Sequence, residues 1–133
     1  LALLLIAAVI FLIVRRRRTL QARQAKFGQP DAGAASAAMF AYGMRLMWAS
    51  GLPRRNCPAG ELAEEAAAWS GTDDADRFRC LAAHNDEALF SAHTLDESRR
   101  TEMREFYEAA LPLCKSKLKF WQRWYQKWLR CLY

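Results

Sequence analysis

Fourteen apolar residues in unbroken succession, Leu1 to Val14, open the chain, and four arginines, Arg15 to Arg18, follow at once. Hydrocarbon accepts the first run and rejects adjacent guanidiniums, so the Val14–Arg15 junction is expected to mark the edge between lipid and water. At about 1.5 Å rise per residue the run covers about 21 Å of a hydrocarbon layer about 30 Å thick. Residues 1–14 are therefore expected to be the C-terminal part of a transmembrane helix that begins upstream in a longer protein, as the lack of an initiator Met also suggests. A secretory signal has the opposite order, with charge before the apolar core.

Beyond the arginines the pattern turns helical in period. Residues 15–30 form a basic juxtamembrane segment, in which good helix formers carry α-helix on to a stop at Gly28, Gln29 and Pro30. Asp31 is placed to cap a second helix, with Met39, Phe40, Met44, Met47 and Trp48 at three-and-four spacing and Gly51 ending it. Pro53, Pro58 and Gly60 make the next stretch a loop that exposes Arg54 and Arg55. A third helix, around Leu62, Ala66 and Trp69, stops at Ser70 and Gly71. A fourth, capped by Thr72, offers Phe78, Leu81, Ala82, Leu89 and Phe90 to the core.

Thr94 and Glu97 have the spacing of a capping box, so the last helix is expected to start there. Its apolar stripe continues from Met103 through Phe106, Ala110, Leu118, Trp121, Trp124 and Trp128 to Leu132, with a kink expected near Pro112. No strand-like alternation interrupts the series. The expected class is all-α: the end of a transmembrane helix, then a bundle of about four helices, the last long and kinked. The segments are 1–14, the membrane helix; 15–30, the basic exit; 31–112, a cytoplasmic helical domain; and 113–133, a basic aromatic tail.

Charge sharpens this picture. Residues 1–60 hold nine cations and one acid, residues 61–108 five cations and thirteen acids, and residues 109–133 six cations and no acid. Two basic blocks flanking an acidic one make nucleic acid a poor fit, whereas cations beside an apolar anchor suit anionic lipid headgroups. The bias of Lys and Arg toward the inner face puts residues 15–133 in the cytoplasm. Thiols stay reduced there, and Cys57, Cys80, Cys114 and Cys131 have no metal-ligand spacing, so they read as small apolar fillers.

The order of features, an apolar span, a basic exit, the GLPRR segment Gly51 to Arg55, ELA at Glu61 to Ala63, Ala88-Leu89-Phe90, and Thr94 to Glu97 leading into Phe106-Tyr107, resembles a known family. It is similar to the C-terminal domain of unknown function that follows the last transmembrane helix of bacterial transglutaminase-like multi-pass membrane proteins. Cys57-Pro58-Ala59-Gly60 stands where that family has a Thr-Pro helix start. The resemblance implies that any transglutaminase-like active site lies upstream of this chain, and it carries no catalytic residue over.

Candidate chemistry is sparse. Cys80 and His84 lie four apart on a predicted helix, as a thiol–imidazole pair would, but no third group or oxyanion donor is evident in sequence. Asp73, Asp74 and Asp76 suit a helix start better than a cation loop. No cofactor, metal or catalytic residue is assigned. The tail is more telling: Lys115, Lys119, Arg123 and Lys127 on one stripe and Trp121, Trp124 and Trp128 on another are what an interfacial helix presents to lipid. The bland alternative is that this aromatic stripe completes the bundle core.

The expected function is a non-catalytic cytoplasmic helical domain at the end of a bacterial membrane protein, acting through membrane-surface or protein–protein contact. Arg15, Arg16, Arg17 and Arg18 would set topology and meet headgroups, and Lys115, Lys119, Trp121, Arg123, Trp124, Lys127 and Trp128 would make interfacial contact. Its expected partners are the membrane, the rest of the parent protein and a protein at the acidic surface. The alternative is a membrane-anchored signalling or nucleic-acid-binding module using the same tail.

Overall fold

A computed structural model describes residues 1–133, all helical apart from its connections. α1 (Ala2–Phe27) is continuous through the arginines, and Gly28 ends it by donating its N–H to Gln24 O. α2 (Ala32–Ala49) starts at Asp31, whose carboxylate accepts from Gly33 N at 2.9 Å. A 3-10 turn (Ala59–Leu62) leads into α3 (Ala63–Ser70), which Gly71 closes in the left-handed region at φ 80°. α4 (Ala75–Phe90), α5 (Glu97–Lys117) and α6 (Phe120–Trp128) follow.

The core forms where α2 is pressed between α4 and α5. Met39, Phe40, Met44 and Met47 of α2 are buried, as their spacing predicts, against Phe78 and Leu81 of α4 and Met103 and Ala110 of α5. The rings of Phe40 and Phe106 stack with centroids 5.6 Å apart. Gly43 allows that approach, because a Cβ there would lie 2.5 Å from Phe106 Cε1. The small residue keeps helix α2 near α5 at the cost of about 1 kcal/mol in helix propensity.

Several local expectations are corrected. Asp74, not Thr72, caps α4, accepting from Arg77 N at 3.1 Å, while Thr72 pairs with the Ser70 hydroxyl. The Thr94–Glu97 capping box does not form: α5 begins at Glu97 itself, which places Glu97 in the first helical position with Asp96 before it. From that position the glutamate cannot reach back to a Thr94 amide. Leu89 and Phe90 are not core residues but 57% and 84% exposed, since α4 has run past its partners by then. Pro112 is exposed and lies within α5, and the helix expected to run on to Leu132 is broken at Leu118 and Lys119, both extended. Burial of Leu118 fixes that turn, and the Gln122 side chain caps it by accepting from Lys119 N.

No helix of the chain is long and apolar enough to cross a membrane. Leu1 to Val14 nonetheless leave the bundle as an apolar rod. Leu3, Leu4, Leu5, Ile6, Val9, Ile10 and Phe11 are all more than half exposed.

Candidate membrane-facing surface

The second half of α1 repeats Arg16, Leu20, Arg23 and Phe27 at helical spacing, and this stripe faces the bundle. Phe27 meets Tyr42 and Tyr107 edge-on, at centroid distances of 5.6 and 4.9 Å. Arg23 is only 4% exposed. Its guanidinium donates to Leu132 O at 2.8 Å and to Cys131 O at 2.6 Å, and it lies 4.7 Å above the Tyr42 ring. Arg16 donates to the main-chain oxygen of Tyr133 at 3.0 Å and covers Trp128 at 5.3 Å. Two arginines of α1 thus clasp the segment after α6. Cys131 adopts φ 52° to aim its carbonyl inward, a left-handed conformation costing a non-glycine residue about 1–2 kcal/mol that these hydrogen bonds offset.

The clasp decides which side of α6 faces in. Gln126 is buried and donates to Ala49 O at the end of α2, and Leu118, Cys131 and Leu132 are buried as well. Phe120 and Trp121 are 85% and 65% exposed, and Trp124 and Tyr125 are also exposed. α6 is therefore amphipathic the wrong way round for a soluble bundle: an amide goes to the core and the large rings go outward. Contiguous exposed apolar surface of this kind is a mark of an interaction site.

The predicted surface residues divide accordingly. Arg15, Arg17 and Arg18 are exposed where the apolar rod begins, whereas Arg16 is half-buried by the tail. Lys119, just before α6, and Arg123 and Lys127 on it are exposed with Trp121 and Trp124, while Trp128 is half-buried between Arg16 and Lys127. Lys115 remains on α5, over the Tyr133 ring. Because Arg16 touches Trp128 and Gln126 touches Ala49, the base of the apolar rod, the aromatic face of α6 and the end of α2 share one end of the bundle.

Burial around this end shifts two acids. Desolvation raises the pKa of the Cys114 thiol, opposed by a hydrogen bond from Ser50. The Tyr133 phenol is also raised, by burial first and by its neighbour Cys114, with Ser50 and Arg123 acting the other way. Cys114 and Cys131 are thus buried fillers as expected, but Cys80 is exposed.

Cys80 Sγ lies 3.5 Å from His84 Nε2, and His84 Nδ1 lies 3.0 Å from Glu102 Oε2 of α5, a third group that sequence spacing did not disclose. Thiol and carboxylate meet opposite nitrogens of one ring, so they cannot hold a single ion together. Cys80 also sits in the second turn of α4, where main-chain N–H groups belong to the helical ladder and none is free to stabilise an oxyanion.

Arg23 and Gln126, which orient the surface, were not legible as such. The signal for Arg23 is its place in the stripe Arg16, Leu20, Arg23, Phe27; for Gln126 no local signal exists. Comparison with family models, with curated proteins and with solved structures returns no match.

Proposed function

We propose that this chain is a non-catalytic, membrane-apposed helical domain whose basic aromatic helix α6 rests in the headgroup layer. One observation carries the reading: α6 buries Gln126 and exposes Phe120, Trp121, Trp124 and Tyr125 beside exposed cations. An aromatic stripe that merely completed a core would be turned the other way. Leu1 to Val14 enter the hydrocarbon, Arg15, Arg17 and Arg18 stop at its edge, and the clasp by Arg16 and Arg23 on the segment after α6 supports a position of α6 beside that edge. Indole and phenol rings suit that layer because one edge is apolar and the other polar, and Lys and Arg reach past them to anionic lipid.

Tethering makes weak contact sufficient, since α6 is never far from the surface to which α1 is fixed. The excess of Lys and Arg next to the apolar rod orients the domain toward the cytoplasm. A position after the last span of a larger membrane protein, as in the transglutaminase-like family that the sequence resembles, is the arrangement proposed here.

The test is depth-resolved quenching. The full chain is reconstituted in vesicles containing anionic lipid, and tryptophan emission is compared with lipids brominated near the headgroup or deep in the acyl chain. Quenching by the shallow bromines is expected, and it should fall when Trp121 and Trp124 are replaced by Ala. Emission indifferent to both lipids would defeat the reading.

A further inference from the structure

A trough of about 720 Å³ lies between α2, the loop that follows it and α4, within the range of about 300–1,000 Å³ usual for small-molecule sites. No residue of α6 or of the apolar rod lines it. Its floor is apolar, with Phe40, Met44 and Leu62, and the exposed Leu89 forms one edge. This explains a large aliphatic residue left outside the core.

The trough is cationic at the rim. Arg45 and Arg54 both line it, and neither has a carboxylate partner: Arg45 rests on the Tyr42 ring and Arg54 on the Trp48 ring. Arg55, by contrast, is paired with Glu65 at 2.8 Å. Asn85 adds a polar group to the wall. Only 9% of it is exposed, it lines the trough, and its amide makes no hydrogen bond to the protein.

We propose that this trough binds a single-chain anionic amphiphile, a carboxylate or phosphate head on one acyl chain. The head lies between the Arg45 and Arg54 guanidiniums, where charge-assisted hydrogen bonds are strongest, and the chain runs over Met44 and Leu62 toward Leu89. The two free cations favour an anion over an alcohol of the same length, and the apolar floor favours an acyl chain over a bare anion. This inference is independent of the contact proposed for α6, because the two surfaces share no residue.

The probe is decanoate carrying a photoreactive diazirine, used on the full chain in nanodiscs of zwitterionic lipid, with the corresponding decanol as control. Labelling is mapped by mass spectrometry, and labelling of Leu1 to Val14 reports simple partition into lipid. Peptides carrying Met44, Leu62 or Leu89 are expected to be labelled by decanoate at least about fivefold more than by the alcohol. Replacing both Arg45 and Arg54 by Gln should remove that preference, and Leu89→Trp, at an exposed edge, should block labelling with helicity unchanged. Three results would overturn the proposal: equal labelling by acid and alcohol, labelling untouched by the double Arg variant, or labelling confined to Leu1 to Val14.

Discussion

Helices α2 and α6 both carry rings and long apolar residues at helical spacing, yet the fold treats them in opposite ways. In α2 the apolar stripe of Met39, Phe40, Met44 and Met47 is buried between two neighbours. In α6 the inward position belongs to Gln126, and Trp121 and Trp124 look out. The difference teaches that periodicity identifies a face without saying what the face meets. α2 lies in the centre of the bundle, where α4 and α5 both close over it. α6 is reached late, after a break at Leu118, and is held by hydrogen bonds from α1 to the chain beyond its end.

The sharpest test of the contrast is in the core. Met103 is fully buried beneath α2, so Met103→Ala should lower stability by about 2–5 kcal/mol, read from urea unfolding in detergent by far-ultraviolet circular dichroism. A cost near zero would mean that α2 and α5 are not packed as described. Next comes the clasp. Arg23→Leu leaves the Cys131 and Leu132 carbonyls without their donor and should cost about 2–4 kcal/mol. Its diagnostic is local: amide exchange in α6 should accelerate more than in α2.

Gly43→Ala is a smaller intrusion. The new methyl meets the Phe106 ring, and overpacking outweighs the gain in helix propensity, so a net loss of about 1–2 kcal/mol is expected in the same unfolding assay. On α6 the prediction reverses. Replacing Trp121 and Trp124 by Ala should change unfolding stability by less than about 0.5 kcal/mol while removing most headgroup-level quenching. A large loss of stability would return those rings to a core role.

The weakest effect is pH dependence. The Cys114 thiol and the Tyr133 phenol have raised pKa values in the fold, so the unfolded chain releases their protons first. The stability tied to these groups is therefore complete below the ordinary thiol value, about 8.5, and is lost as pH rises through the folded-state values. An alkaline unfolding series should show that decline, made shallower by Cys114→Ala.

Much of the fold was legible because local rules and the tertiary solution agreed. The Asp31 cap, the left-handed Gly71 and the buried methionines of α2 all follow from side-chain chemistry acting over a few residues. Where two local solutions competed, sequence reasoning chose wrongly: Asp74 displaced Thr72 as a cap, and Asp96, without a capping bond from its side chain, took the position before α5 in place of Thr94. Both pairs lie within two residues of each other, and neighbouring structure selects between them. The candidate surface was legible in its residue types, but not in its direction.

What the sequence by itself determined is an all-helical chain and the place where an apolar run gives way to four arginines, since both depend on solvation and spacing along one segment. Only the tertiary structure decided that Arg23 belongs in the interior, that Gln126 rather than a tryptophan faces the core, and that Arg45, Arg54 and Asn85 border one trough. Those outcomes join residues from different segments, up to about a hundred positions apart for Arg23 and the tail, and no rule of local spacing reaches that far.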